Sequence, residues 1–272
     1  MIKAAVLDLY NETPNQGMKG LIKLLENFRH SLEFKIFKVR SLNEIPSLDF
    51  DVYISTGGPG NPHFIQESAN PAWGFAWNNL MLSILKHNKN PDNPKKFVFL
   101  ICHSFQMMCI LLKVAKVELR YSTSFGIFPM HKTKDGELEE WFLGLDDPFY
   151  SVDSRDYQVL DPDKDKMRKE KMKILAYEKI RAHVPFDRAI MSIRFSPEIL
   201  GTQFHPEADP ENMLRFFKTK EKKDSVVKEF GETKYLDMLE SINNPDRITK
   251  TYSLIIPRFL EEASKLINSI RV

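Results

Sequence analysis

Phe97-Val98-Phe99-Leu100-Ile101-Cys102-His103-Ser104-Phe105-Gln106 carries three structural signals in one short run. The uninterrupted apolar residues Phe97–Ile101 predict a strand buried on both faces of a parallel sheet. Phe105 to Leu112 has the composition of a helix. Cys102 stands at the junction. A side chain on such a strand–turn–helix junction is lifted above the sheet and aimed at the helix N-terminus. There the helix dipole and unpaired N–H groups favour a thiolate and stabilise a developing oxyanion. Taken by position alone, Cys102 reads equally well as a small buried apolar residue.

Upstream, the same alternation repeats. Ala4 to Leu9 is a short apolar run, followed by the polar turn Asn11 to Gly17 and by Met18, Leu21, Ile22, Leu25 and Phe28 at helical spacing. Phe34–Val39 and Asp51–Thr56 read as further strands, the second ending in Gly57-Gly58-Pro59-Gly60; Pro71 to about Lys89 reads as a helix with proline near its start. Strands alternating with helices predict an α/β fold: a mainly parallel, doubly wound, flavodoxin-like sheet with helices on both faces. In such sheets ligands sit beyond the carboxyl ends of the strands. The Asn11 turn, the Gly57–Gly60 turn and Cys102 all fall there.

Downstream of residue 115 the strands shorten: Val117–Tyr121, Gly126–His131, Met172–Lys179, Ala189–Phe195 and Ile199–Phe204. The charge run Asp161–Lys171 reads as a solvated loop or hairpin tip. Asp209-Pro210-Glu211 is a helix start, with Asp as cap and proline at the first helical position. From Lys218 the chain becomes more charged, and two helices are predicted, about Ser225–Ser241 and about Asp246–Ile270. The second carries Ile248, Tyr252, Ile256, Phe259, Ala263, Leu266, Ile267 and Ile270 on one stripe, with Pro257 placed to kink or split it. The division expected is residues 1–217 as the α/β domain and 218–272 as a C-terminal helical extension. Its stripe must dock, on its own domain or across a homodimer interface, and it reads as an element of assembly or a roof over the cleft more than as part of the folding core.

Composition narrows the function. The chain of 272 residues has a formal net charge of +2, which gives no electrostatic case for a nucleic-acid partner. Two cysteines, Cys102 and Cys109, exclude a disulfide framework and suit a reducing, cytoplasmic setting. Cys109 reads as a core thiol. The first residues lack a signal-peptide pattern, and no apolar run approaches the roughly 20 residues that span a bilayer, so no membrane partner is expected. His30, His63, His87, His131 and His183 show no metal-ligand spacing, and neither a metal nor a cofactor is expected.

A second motif is Gly201-Thr202-Gln203-Phe204-His205-Pro206-Glu207. An apolar strand ends in His205, Pro206 keeps that residue extended, and Glu207 can orient the imidazole as the third member of a triad does. The Gly57-Gly58-Pro59-Gly60 turn lets backbone approach a ligand closely, but it lacks the Lys-Ser/Thr of a phosphate-binding loop.

In this order, Gly-Gly-Pro, then Cys102 with Gln106 four residues on, then His205-Pro206-Glu207, the chain resembles the class I glutamine amidotransferase family. The match is nearest to the amidotransferase domain of the GMP synthetase type and covers about residues 1–217. The resemblance implies Cys102 as nucleophile, His205 as general base and then acid, and Glu207 as its orienting partner. It implies the backbone N–H groups of Gly58 and His103 as the oxyanion hole, Gln106 beside bound glutamine, and Ser154-Arg155-Asp156 as a further substrate-contacting strand. The family usually has glycine two residues before and two after the nucleophile, where this chain has Leu100 and Ser104.

The function expected is therefore hydrolysis of the side-chain amide of glutamine through a Cys102 thioester. No ATP-binding synthase module is evident, so the ammonia would pass to a separate synthase partner. A stand-alone γ-glutamyl hydrolase shares the same motifs. A non-enzymatic regulatory subunit is the third reading, with Leu100 as the sign of a relaxed elbow.

Overall fold

A computed structural model of the chain describes residues 1–67, 71–181 and 187–271; His183 and the side chain of Ile270 lie outside the described residues. The strands are β1 (Ile2–Asp8), β2 (Leu32–Lys38), β3 (Val52–Ser55), β4 (Phe97–Ile101), β5 (Lys116–Lys132), β6 (Phe149–Leu160), β7 (Lys173–Tyr177), β8 (Ile190–Ser196) and β9 (Ile199–Thr202). The helices are α1 (Gln16–Glu26), α2 (Val39–Leu42), α3 (Phe64–Glu67), α4 (Ala72–Lys89), α5 (His103–Leu112), α6 (Lys134–Glu137), α7 (Lys164–Lys169), α8 (Pro210–Phe217), α9 (Lys220–Phe230), α10 (Glu232–Asn243) and α11 (Lys250–Arg271).

The described strands form one mixed sheet in the order β2-β1-β3-β4-β9-β8-β7-β5-β6. The half from β2 to β9 is parallel, and the half from β9 to β6 is antiparallel. Side chains alternate between its faces, as a period of two requires. Ala4, Val6, Ile54, Phe99 and Ile101 pack with Leu21, Leu24 and Leu25 of α1 and with Ile255, Ile256 and Phe259 of α11. Ala5, Leu7, Tyr53, Val98 and Leu100 pack on the other side with Trp77 and Met81 of α4 and Met108 of α5. A third cluster joins Ile127 and Val152 of β5 and β6 to Met213, Phe217, Val226, Tyr235 and Met238 of α8, α9 and α10. Among the described residues no helix is long and apolar enough to cross a membrane.

Several expectations need correction. The two strands read around residues 117–131 are one long β5, which keeps pairing with β6 through an irregularity between Leu119 and Ser124. The charge run holds a short helix, α7, because the Asp163 side chain caps it at Lys166 N. The helix predicted over 225–241 is two helices, broken at Gly231, whose φ of +87° suits glycine. Pro257 does not split α11. The carbonyl one turn back belongs to Ser253, which is exposed, so water can satisfy it.

Of the two destinations open to the C-terminal stripe, α11 takes its own α/β body. Phe259 is fully buried, with its ring centroid 5.3 Å from that of Phe99 and 4.9 Å from that of Trp141. Leu266, expected on the stripe, is left exposed.

Candidate active site

The parallel half of the sheet delivers its strand ends to one cleft. A cavity of about 430 Å³ there is lined by Tyr10, Asn15, Gly58, Cys102, Gln106 and His205, among others. Its chemistry is set by how three of these side chains are held.

Cys102 sits between β4 and α5 with φ of +50° and ψ of −97°. That region is sparsely populated for a residue with a Cβ, and it persists only where the surroundings over-determine it. Here they do. Cys102 N donates to Thr202 O at 2.7 Å, and Gln106 N donates back to Cys102 O at 3.0 Å. The Ser104 hydroxyl accepts from Ile101 N at 2.9 Å and donates to Ser55 O at 2.7 Å, tying the elbow to β3. Ser104 is thus a second clasp where the family that the sequence resembles has glycine. Leu100 is fully buried and lies opposite Gly201 in the β4–β9 ladder, where the Phe105 and Phe195 rings fill the space over the glycine.

His205 follows β9, and its backbone N–H is fixed by Val152 O of β6 at 2.9 Å. Its Nδ1 is 2.7 Å from Glu207 Oε1, which leaves Nε2 for the Cys102 side. A Cβ placed on Gly57 would lie 3.1 Å from His205 Cε1 and 3.6 Å from Cys102 Cβ, so this glycine is the floor on which ring and thiol meet. Burial works against a charge on His205. The Glu207 carboxylate and then Cys102 more than offset it, and the pKa is held well above its ordinary value. Glu207 is buried, and its Oε2 finds no hydrogen-bond partner among the described residues.

Gln106 is buried and lines the cavity, but its Nε2 is engaged by Gln203 Oε1 at 2.9 Å and Tyr157 O at 3.2 Å. Gln203 Nε2 in turn lies 3.5 Å from Cys102 Sγ. Gly58 and His103 both border the cavity. The His103 ring is buried beneath it near Trp73, and burial followed by the Arg40 charge brings its pKa down to about 3, so it stays neutral. The Ser154 carbonyl is 3.8 Å from Cys102 Sγ. The Arg155 guanidinium is turned into the protein, bound to Asp153 at 2.9 Å, Glu178 at 3.0 Å and Tyr157 O at 3.1 Å. Cys109 is fully buried in the core, and burial pushes its thiol pKa far up.

Sequence reasoning missed Tyr10 and Gln203. Burial, then the charges of Glu207 and Cys102, holds the Tyr10 hydroxyl pKa well above its usual value, so it remains a neutral O–H beside the His205–Glu207 pair. The signal for it was its place just after β1, directly before the Asn11–Gly17 turn. Gln203 was visible only as part of a strand. Among the described residues no group of three or more His, Cys, Asp or Glu could hold a metal ion.

The arrangement places a thiol at a helix N-terminus, next to a histidine backed by a buried carboxylate. No family model and no curated relative matches the chain. Solved structures do. A glutamine amidotransferase from Thermotoga maritima superposes with a TM-score of 0.69 at 16% identity, over 97% of this chain and 98% of that one. A glutamine amidotransferase from Methylobacillus flagellatus gives 0.65 at 11% identity, over 96% and 94%. A putative GMP synthase protein from Thermoplasma acidophilum gives 0.52 at 16% identity, over 76% and 85%. The chain has the class I glutamine amidotransferase fold.

Proposed function

We propose that this protein hydrolyses the side-chain amide of glutamine, or a γ-glutamyl amide closely related to it, through a thioester on Cys102. The observation that carries the reading is the strained turn that presents Cys102 beside a His205 already paired to Glu207. The raised His205 pKa favours the imidazolium form, a proton donor held beside Cys102.

The thiolate attacks the γ-carbonyl carbon, and the carbonyl electrons move onto oxygen. Backbone N–H groups of Gly58 and His103 receive that oxyanion. His205 gives its proton to the departing nitrogen, ammonia leaves, and the γ-glutamyl thioester remains on Cys102. Water then attacks the thioester with His205 as base, releasing glutamate and restoring the thiolate. Glu207 keeps the imidazole in one tautomer and stabilises its charged form. Gln106 and the Ser154–Arg155 strand border the substrate, Arg155 through its backbone, since its guanidinium is committed elsewhere.

The ammonia has its natural destination in a separate synthase partner, and a cytoplasmic setting accords with a free thiol nucleophile. The regulatory reading gains no support from Leu100, because the leucine is fully buried and Cys102 still stands in the strained turn between β4 and α5. Ammonia release from glutamine and from a set of γ-glutamyl amides, with Cys102→Ala as the control, tests the proposal.

A further inference from the structure

We propose that Lys222, held over Phe125, Phe216 and Phe217, is the carboxylate-recognising end of the Cys102 cleft. Its Nζ lies 5.1 Å, 5.5 Å and 5.8 Å from the three ring centroids, and the side chain lines the same cavity as Cys102. The inference rests on reading that cavity as a γ-glutamyl site.

Three observations carry it. Lys222 is the third residue of α9 after the Thr219 cap, the positive end of the helix dipole, where a cation is disfavoured. Among the described residues no carboxylate oxygen lies within ion-pair distance of its Nζ, while nearby Lys220 is paired with Asp224 at 2.8 Å and points to solvent. Ring faces attract an ammonium but leave its N–H donors without strong acceptors. A half-buried cation at a cost-bearing position, inside a cleft and without an acid, is complementary to an anionic ligand group.

The path from thiol to ammonium follows one wall of the cavity. Cys102 Sγ is 3.8 Å from Ser154 O, Ser154 pairs with Phe125 across the β5–β6 ladder, and Phe125 carries Lys222 on its ring. The cavity of about 430 Å³ falls in the roughly 300–1,000 Å³ range of sites for drug-sized ligands, which leaves room beyond the carboxamide that meets Cys102. The carboxylate has two sources: the α-carboxylate of the glutamyl group, or one carried by the leaving amine of a γ-glutamyl amino acid.

The test is calorimetric binding to the full-length Cys102→Ala protein, with and without Lys222→Met and Lys222→Arg. The probes are L-glutamine, its α-amide, γ-glutamylglycine and γ-glutamylmethylamide. Lys222→Met is expected to weaken binding of the carboxylate-bearing probe about 10- to 100-fold, with Lys222→Arg retaining most of it. A loss seen with glutamine but not its α-amide assigns the α-carboxylate. A loss seen with γ-glutamylglycine but not γ-glutamylmethylamide assigns the leaving amine. Equal binding of every probe by the Lys222→Met protein, or no binding of any probe, overturns the inference. Failure of the functional reading looks different: probes bind through Lys222, yet the wild-type protein cleaves none of them.

Discussion

Leu100 on β4 and Gly201 on β9 stand opposite each other in the parallel ladder, and the Phe105 and Phe195 rings close over the glycine beside the leucine. A Cβ on Gly201 would come within 2.6 Å of the Phe105 ring and 3.4 Å of Leu100 Cβ. Gly201 thus makes room for two aromatic rings, one of them from the helix that begins at the elbow. Gly201→Ala is therefore expected to destabilise the fold by about 1–3 kcal/mol through overpacking, and to reduce activity by pushing Phe105 against the elbow. Urea denaturation with a parallel ammonia-release assay checks both. A variant as stable and active as the wild type would contradict the tight packing of Phe105 and Phe195 on Gly201.

The two thiols should differ sharply in reactivity. Cys102 lies at a helix N-terminus beside His205, whereas burial holds the Cys109 thiol protonated. Iodoacetamide is expected to alkylate Cys102 well before Cys109, read by peptide mass spectrometry. Equal or inverted labelling would remove the case for an activated nucleophile.

The pH dependence follows from His205. Burial lowers its pKa, Glu207 and Cys102 together raise it by more, and the net shift is upward. A histidine raised in this way stabilises the fold fully below its unfolded pKa of about 6.5, and that contribution is lost as pH rises through the folded value. Glu207→Gln removes the largest raising influence. The stability gap between wild type and Glu207→Gln is thus expected to be wide in mildly acidic buffer and to narrow in alkaline buffer. A gap that widens with pH would contradict the pairing.

Truncation after Phe217 is expected to unfold the chain. Ile255, Ile256, Phe259 and Ala263 are fully buried in the same cluster as Phe99 and Ile101. Each large side chain among them is worth roughly 1.5–3 kcal/mol, against a total stability of about 5–15 kcal/mol. Phe259→Ala, which leaves the helix in place, should cost about 3–5 kcal/mol. Thermal unfolding of both variants reads the outcome. A stable truncated domain would return α11 to the role that the sequence suggested, outside the folding core.

How far the sequence carried the fold depended on whether a signal was local. The apolar run Phe97–Ile101 and the junction at Cys102 announce themselves, because strand burial and the turn are encoded in adjacent residues. The adjacency of His205 and Glu207 was equally local. The need for a residue without a side chain at Gly57, beside both Cys102 and His205, was not, since it joins three strand ends far apart in the chain. Tyr10 and Gln203 matter through neighbours that only the sheet order brings close. Arg155 was read as a substrate contact from its place in a motif, yet Asp153 and Glu178 draw its guanidinium inward, a pairing no spacing rule signals. The course of α11 escaped for the same reason. An amphipathic stripe states that a face is buried, not against what.

The central claim is that Cys102 forms a covalent γ-glutamyl intermediate. The most direct measurement mixes the wild-type protein with L-glutamine and with γ-glutamyl amides, quenches it in acid, and reads the Cys102 peptide by mass spectrometry alongside ammonia or amine release. The account predicts a γ-glutamyl adduct on Cys102, with glutamate and the released nitrogen formed in equal amounts. It also predicts a fall of at least about a thousandfold in the Cys102→Ala protein. Release that proceeds as fast in the Cys102→Ala protein, or a wild type that neither releases nitrogen from any of these compounds nor carries an adduct, would contradict it.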